Sequence, residues 1–383
     1  MMKILIAPDK FKGSLNAREV AENIAKGLRD ALSDAKIQTV PMADGGEGTA
    51  EAICQARGGS WLQCKAHDPL GREIDARYAW IESGKIAVME MSEAAGMRCV
   101  SEDERDPVRA TTFGVGEMIL DAANRGAKEI IIGLGGSATN DGGFGMARAL
   151  GFRFFSDAKE LTDDVSELQH LTRIEAPVAA GVSPANSRTQ PTRLPPQLKI
   201  IAAVDVKNPL LGKNGATRVF GPQKGASKDE IKLLERALTR LADVVAKEFG
   251  FDYRDEAGAG AAGGLGFGVM SFCRARIRPG FDVVAQAAKL ESKMKDADLV
   301  ITGEGSLDLQ TLEGKTPAGV ARLARKLGKK VFAIVGRTDG DRKVHELFDQ
   351  VCELPQQGIS KEEQMKRAGE LLRDKALELA KAL

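Results

Sequence analysis

Several glycine-rich segments of this 383-residue chain also carry lysine, hydroxyl or carboxylate side chains, the groups that bind and activate anionic substrates. Residues 133–143 hold Ser137, Asn140 and Asp141 between an apolar run and a predicted helix. This segment is longer than most loops joining a strand to a helix, which favours function over simple connection. Glycines let the backbone approach a ligand closely, and the polar side chains can orient or neutralise it.

Two lysines near the amino end suggest a second anion site. Lys10 and Lys12 flank a turn that precedes a predicted helix, for which we expect Ser14 as the N-cap. A helix amino end beside an ammonium group favours phosphate or carboxylate. A pair of solvent-exposed lysines on a loop is the alternative.

Three further charged groups lie in glycine-rich segments nearer the carboxyl end. Glu304 and Asp308 supply carboxylates and Lys315 an ammonium group, although structural salt bridges explain them equally well. Lys224 lies within a turn at 221–225 that suits either a surface turn or a ligand contact. Together these groups fit phosphoryl transfer, which needs positioning, neutralising cations and a carboxylate that orients or deprotonates the acceptor hydroxyl.

Several familiar motifs are absent. Residues 258–263 match G-x-G-x-x-G, but the charged stretch 252–256 precedes them where a dinucleotide fingerprint needs a strand. The surrounding glycine segment suits either a phosphate cradle or close packing. Gly-Lys-Thr at 314–316 resembles the end of a P-loop, but Leu309 stands where its first glycine should be. No histidine lies in a glycine segment, which disfavours Ser-His-Asp acyl transfer.

Short apolar runs precede the polar glycine segments. Continuous apolar strands followed by helices are typical of parallel sheets covered on both faces, where ligands bind at the carboxyl ends of the strands. We therefore expect an α/β fold. The runs are residues 4–7, 130–132, 200–204, 299–301 and 331–335.

The order of these patterns predicts two α/β domains. Residues 1–72 and 285–383 would form one discontinuous, Rossmann-like parallel-sheet domain, because its opening piece is too short to be a domain alone. Residues 73–284 would form an inserted α/β domain. Its strand near 85–91 partly alternates, as in a mixed sheet. The proline-rich stretch 176–198 should be an exposed loop.

Composition excludes several classes of partner. Lys and Arg number 55 against 54 Asp and Glu, so no basic excess supports binding to nucleic acid or to a membrane surface. The five cysteines form no C-x-x-C pair, which favours a reducing cytoplasm and disfavours a zinc site. No apolar run is long enough for a membrane helix or a signal peptide. We expect a cytoplasmic protein, with a homodimer left open.

Six motifs occur along nearly the whole chain. They are Ala-Pro-Asp-Lys-Phe-Lys-Gly-Ser at 7–14, Met-Ala-Asp-Gly-Gly-Glu-Gly-Thr at 42–49, the segment 133–143, Phe-Gly-Pro-Gln-Lys-Gly-Ala at 220–226, Thr-Gly-Glu-Gly at 302–305 and Gly-Lys-Thr-Pro at 314–317. In this order they resemble the type I glycerate kinase family. The resemblance implies ATP- and Mg²⁺-dependent phosphorylation of D-glycerate, usually to 2-phosphoglycerate, with the active site in a cleft between the two domains.

The resemblance also marks site candidates, to which we assign roles. Asp205 or Asp141 would orient the hydroxyl, Lys10 would assist catalysis, and Glu304 and Asp308 would hold Mg²⁺. Lys10 and Lys12 would bind the substrate carboxylate or a phosphate. The expected substrate-binding residues are Asp9, Lys12, Asp44, Thr111, Thr112, Ser137, Asn140 and Asn208. The expected ATP- or phosphate-binding residues are Gly135, Gly136, Lys224, Gly263, Gly264, Gly303, Gly305 and Lys315.

Other functions remain as alternatives. The enzyme could phosphorylate another small hydroxy acid or form 3-phosphoglycerate, and a non-catalytic sensor of small anions would use the same charged loops only for binding. A nicotinamide-dependent dehydrogenase is disfavoured by the failed dinucleotide fingerprint.

Overall fold

The computed structural model describes residues 1–162, 164–177, 194–355, 358 and 360–383. The strands are, in chain order, β1 (Lys3–Ile6), β2 (Lys36–Thr39), β3 (Ser60–His67), β4 (Glu73–Ile81), β5 (Ile86–Glu90), β6 (Glu129–Gly133), β7 (Arg153–Ser156), β8 (Lys159–Leu161), β9 (Arg173–Glu175), β10 (Lys199–Val204), β11 (Arg276–Pro279), β12 (Leu299–Leu307), β13 (Lys330–Thr338) and β14 (Gln350–Glu353).

The α-helices lie mostly between these strands, with short 3-10 turns elsewhere. They are α1 (Ala17–Ala31), α2 (Thr49–Arg57), α3 (Ser92–Ala95), α4 (Phe113–Asn124), α5 (Phe144–Ala149), α6 (Ala216–Phe220), α7 (Lys228–Phe249), α8 (Ala261–Cys273), α9 (Gly280–Ala287), α10 (Leu290–Lys295), α11 (Thr316–Lys326), α12 (Arg342–His345), α13 (Lys361–Lys366) and α14 (Ala368–Lys381). In the part of the chain that the structure describes, no helix is long and apolar enough to cross a membrane.

The chain divides into two compact units, one discontinuous. The first unit comprises Met1–Gly58 and Pro279–Leu383, and the second comprises Gly59–Arg278. The sequence places the boundaries at 72/73 and 284/285 instead. The first boundary lies earlier in the structure because β3 pairs along its whole length with β4 in the sheet of the second unit.

The first unit contains a five-stranded parallel sheet in the order β14-β13-β12-β1-β2. The strand order reverses between β1 and β12, as in doubly wound folds of the flavodoxin type. Ile4 lies opposite Leu299 on one side and Ile37 on the other, and Ile4 and Leu299 are buried. The carboxyl ends of β1 and β12 therefore flank the switch point, where such folds bind ligands.

The expected N-cap of α1 is wrong. Asn16, not Ser14, caps the helix, and it forms a capping box with Glu19. Phe11 and Leu15 pair in a tight turn that occupies the residues before Asn16, so the helix cannot begin earlier. The Ser14 hydroxyl instead donates to the carbonyl of Met365.

Strands β12 and β13 are longer than their apolar runs predict. The sequence places the end of the first run at Ile301 and treats 302–308 as a loop, but β12 continues to Leu307. It continues because β13 also extends, so that Ser306 lies opposite Arg337. Gly303 and Glu304 therefore belong to a strand, not to a loop.

The second unit contains a six-stranded mixed sheet in the order β11-β10-β6-β5-β4-β3 and a three-stranded sheet in the order β8-β7-β9. Strand β6 is parallel to β5 and β10, whereas β3, β4 and β5 are antiparallel neighbours. This confirms the predicted α/β fold with one parallel and one mixed sheet. Residues 178–193 of the proline-rich stretch 176–198 lie outside the described residues. Leu194 and Leu198, at the end of the stretch, are buried.

Candidate active site

The switch point of the first unit brings together Asp9, which follows β1, and Glu304 on β12. The amide of Asp9 donates to the carbonyl of Gly303 at 2.8 Å, and the Thr302 hydroxyl donates to the carbonyl of Ala7 at 2.8 Å. The loop that follows β1 thus continues alongside β12. Both carboxyl groups are fixed by the backbone that carries them.

These carboxyl groups carry poorly compensated negative charge. Burial, and next the charge of Asp44, raise the pKa of Asp9 to about 6. Burial raises the pKa of Glu304 to about 7, and the charges of Asp9 and Asp308 add to this. The Thr311 hydroxyl donates to Glu304 Oε1 at 2.7 Å and opposes the rise only in part. A cation placed here would relieve this repulsion.

The lysines of the first unit differ in how firmly they are held. Lys10 Nζ donates to the carbonyl of Glu47 at 2.5 Å, which ties the loop after β1 to the loop before α2. Lys12 is exposed. Lys315 Nζ lies 3.4 Å from Asp308 Oδ1 in a half-buried ion pair. Asp44 accepts the amide of Gly46 at 3.2 Å.

In the second unit, the Asp141 carboxylate holds the glycine loop 133–143 against its neighbours. Its Oδ2 accepts the amide and hydroxyl of Thr112 at 2.9 and 2.8 Å and the amide of Gly145 at 3.0 Å, and Oδ1 accepts the amide of Gly143 at 3.0 Å. The Thr112 hydroxyl in turn accepts the amide of Met146. Asp141 and Thr112 are completely buried. Their contacts are internal and join α4 to α5.

Lys224 lies against the same loop. Its Nζ donates to Ser137 Oγ at 2.7 Å and to the carbonyl of Thr139 at 2.6 Å. The residue is only 2% exposed. Burial lowers the pKa of its amine to about 7, and the charge of Asp141 opposes this only in part.

The remaining candidates of the second unit lie at strand ends and loop surfaces. Asp205 follows β10 directly and is exposed. Asn208 Nδ2 donates to the carbonyl of Asn214 at 2.7 Å, and Thr111 Oγ1 accepts the amide of Phe113. Gly136 is exposed, with a left-handed φ of +71°, so the glycine loop reaches the surface immediately before Ser137.

The glycines at 263 and 264 pack closely against the glycine loop. A Cβ at Gly263 would lie 2.0 Å from the carbonyl oxygen of Thr139, and one at Gly264 would lie 2.9 Å from the Cα of Gly142. Both residues have left-handed φ values. Of the two interpretations left open, these contacts favour close packing. Binding of phosphate by Gly263 and Gly264 stays a prediction, as it does for Gly135, Gly303 and Gly305.

Sequence reasoning missed three polar residues beside these clusters. Thr311 donates to Glu304, and Thr217 accepts Asn140 Nδ2 at 2.9 Å. Ser92 begins α3 just after β5 and lies close to Gly136, where an added Cβ would be 3.6 Å from the Ser92 Cβ. A search of every strand end, and not only of the glycine-rich ones, would have found Ser92.

Some buried polar atoms near the glycine loop have no hydrogen-bond partner among the described residues. They are Ser92 Oγ, Thr139 Oγ1 and Asn140 Oδ1. Buried polar groups are normally paired, so such atoms indicate a place where water or a ligand completes the site. Within the described ranges, no group of three or more His, Cys, Asp or Glu side chains could hold a metal by itself.

Comparisons with known proteins identify the family of the chain. The sequence model of the glycerate kinase family matches residues 4–383. Glycerate 2-kinase of Escherichia coli K12 is 44% identical over 350 residues, covering 90% of this chain and 88% of the relative. Glycerate kinase of Halalkalibacterium halodurans is 41% identical over 383 residues, covering 99% and 98%.

A solved structure is also similar over its whole length. It is a crystal structure from Salmonella typhimurium LT2 that carries the provisional name glycerate kinase 2. The TM-score is 0.84 and the identity 40%, with 100% of this chain and 98% of that chain covered.

The contacts of Asp141 predict a structural penalty on its replacement. Asp141→Asn should lower the free energy of unfolding of the second unit by roughly 2–4 kcal/mol, because an amide cannot accept four hydrogen bonds. The exposed Asp255→Asn in the same unit is the matched control, with a change within about 0.5 kcal/mol. Urea unfolding followed by tryptophan fluorescence measures this, since both tryptophans, Trp61 and Trp80, lie in the second unit. Equal losses in the two variants would contradict the assignment.

The lowered pKa of Lys224 predicts a pH-dependent stability. The unfolded chain keeps the lysine proton up to its ordinary pKa of 10.5, whereas the folded chain loses it near pH 7. The folded state is therefore penalised below about pH 7, and stability recovers as the pH rises. Relative to Lys224→Met, the free energy of unfolding of the wild type should rise by up to about 1.4 kcal/mol per pH unit between about pH 7 and 9. A constant difference across this range in urea titrations would show that the amine stays charged.

Proposed function

The chain belongs to the glycerate kinase family, and we propose that it transfers the γ-phosphoryl group of ATP to the 2-hydroxyl of D-glycerate, giving 2-phosphoglycerate and ADP. The observation that carries this proposal is a charged cluster in each unit. The cluster of the first unit holds buried carboxyl groups at a strand switch point, and in the second unit a buried lysine donates to a glycine loop. Charged loops of this kind suit phosphoryl transfer, which asks the protein for positioning and charge stabilisation.

A magnesium ion fits the oxygen groups of the first unit. Burial raises the pKa of Glu304, the charges of Asp9 and Asp308 add to the rise, and Thr311 and Lys315 oppose it only in part. Mg²⁺ is usually held by one or two carboxylates, with water and substrate phosphates as the other ligands. We propose that Glu304 and Asp308 hold it; when bound, the ion would neutralise charge on the phosphates of ATP. Lys10, Lys12 and Lys315 would add further positive charge in the same unit.

Asp205 is the better candidate for the group that receives the hydroxyl proton. The Asp141 carboxylate accepts four internal hydrogen bonds, so its lone pairs are already engaged. Asp205 lies at the exposed carboxyl end of β10, where parallel strands present functional groups. As the substrate oxygen bonds to the γ-phosphorus, its proton would pass to Asp205 and then to solvent, and ADP would leave.

We further propose that the protein is a homodimer in the cytoplasm. Formation of 3-phosphoglycerate, phosphorylation of another hydroxy acid and anion sensing without catalysis are the alternatives that the following experiment distinguishes.

The proposed reaction predicts its product. Incubation of the protein with ATP, Mg²⁺ and D-glycerate should give ADP and 2-phosphoglycerate, identified by phosphorus NMR. Detection of 3-phosphoglycerate would retain the kinase and overturn the position of transfer. D-glycerate binding without any product would instead favour the sensor.

The proposed base predicts a kinetic defect. Asp205→Asn should lower kcat by on the order of 100-fold, with little change in the KM for D-glycerate, because a neutral amide cannot accept the proton. Asp255→Asn, which alters an exposed carboxylate elsewhere in the same unit, is the control and should keep wild-type kcat. A rise in KM alone would remove Asp205 from this role.

A further inference from the structure

Lys224 is a buried cation without a close counter-charge. Among the described residues, no carboxylate lies within 4 Å of its Nζ, and its two hydrogen-bond partners, Ser137 Oγ and the Thr139 carbonyl, are neutral. Asp141 acts on it only at longer range, and four donors already surround that carboxylate. Burying an unpaired charge is costly, so this arrangement favours binding of an anion nearby.

The hydrogen-bond directions identify where the anion would bind. Lys224 donates to Ser137 Oγ, so the serine hydroxyl has its own proton left to donate onward. Ser137 is 5% exposed and directly follows the exposed Gly136, so the serine lies one residue from the point where the loop reaches the surface. Asn140 Oδ1 and Thr139 Oγ1, on the same loop, have no partner among the described residues. A ligand with one anionic group and neighbouring hydroxyls matches this set of donors and acceptors.

We infer that Ser137 and Lys224 recognise the carboxylate of the hydroxy-acid substrate, Ser137 by donating its hydroxyl proton to a carboxylate oxygen and Lys224 by supplying the positive charge behind it. This inference rests on the proposed function. Lys224 acts through Ser137 and is a positioning residue. The carboxylate would thus be bound in the second unit, and not by Lys10 or Lys12 of the first.

A carboxylate fits this site better than the phosphates of ATP. ATP carries three or four negative charges and is usually met by several cations together with Mg²⁺. Lys224 is a single ammonium, and the loop atoms beside it are neutral. One cation balances one carboxylate, and the acceptor Asn140 Oδ1 suits a substrate hydroxyl.

Substrate binding should then be accompanied by proton uptake. The Lys224 amine is partly neutral near pH 7 because it is buried, and a bound carboxylate would favour its charged form. Asp141 is the titratable group that acts on this amine in the free protein. Binding of D-glycerate should therefore take up a fraction of a proton at pH 7 and more at pH 8, because less of the free amine is protonated at the higher pH.

Calorimetry in buffers of different ionisation enthalpy measures this uptake. D-Glycerate is titrated into the full chain with and without a non-hydrolysable ATP analogue, and the analogue is also titrated alone. The inference expects proton uptake with D-glycerate in the wild type. It also expects D-glycerate binding without uptake in Lys224→Arg, which is always charged. Uptake with the nucleotide alone, or unchanged D-glycerate uptake in Lys224→Arg, would overturn it.

Kinetic measurements distinguish recognition of the substrate carboxylate from a purely structural role. Ser137→Ala and Lys224→Met should raise the KM for D-glycerate by at least about 30-fold while the KM for ATP stays within about 3-fold. D-Glyceramide lacks the negative charge, so its KM should rise far less in the same variants. Equal increases in KM for D-glycerate and D-glyceramide would indicate a structural role only.

The two proposals can fail separately. Turnover of D-glycerate without proton uptake would overturn the carboxylate assignment and leave the kinase intact. Proton-linked D-glycerate binding without any phosphorylated product would keep the assignment and overturn the kinase.

Discussion

The hydrogen bonds of the buried Asp141 carboxylate are the constraint on which the second unit's site depends. They join the start of α4 to the start of α5 and thereby fix the loop between β6 and α5. This loop conformation places Ser137 Oγ and the Thr139 carbonyl within hydrogen-bond distance of Lys224 Nζ. Charge-assisted hydrogen bonds are stronger than neutral ones, so one carboxylate can order a loop rich in glycine, which on its own would lose much entropy on folding.

Close backbone contacts explain much of the glycine content around this loop. The carbonyl of Thr139 lies where Gly263 would carry a Cβ, and the backbone at Gly142 approaches Gly268 in the same way. Two glycine segments far apart in sequence therefore pack directly on one another. Their glycines serve backbone packing, while the lysine, serine and aspartate beside them carry the polar interactions.

Much of the architecture could be predicted from the sequence because buried parallel strands are continuous apolar runs. The runs at 4–7, 130–132 and 200–204 mark β1, β6 and β10 closely. The end of β12 could not be predicted, since it depends on pairing with β13, a long-range contact. The N-cap of α1 is misplaced for a local reason, because a tight turn between Phe11 and Leu15 precedes the helix.

The candidate site was predictable in residue type but not in role. The sequence identifies Asp141 and Lys224 as polar residues in glycine segments, yet only the folded structure shows which atoms each side chain contacts. Asp141 faces four internal donors, whereas Lys224 faces neutral oxygens. Burial creates the raised pKa of Glu304 and the lowered pKa of Lys224, and burial depends on elements distant in sequence.

The pairing of β1 with β12 also sets an order of events during synthesis. Strand β1 lies between β2 and β12, and Ile4 meets Leu299 only after the whole second unit has left the ribosome. Domains generally fold as units while the chain is being made. Residues 59–278 can complete their sheets while β1 still has one open edge. The amino-terminal segment must therefore wait for β12, and a nascent chain halted before residue 299 exposes that edge to aggregation.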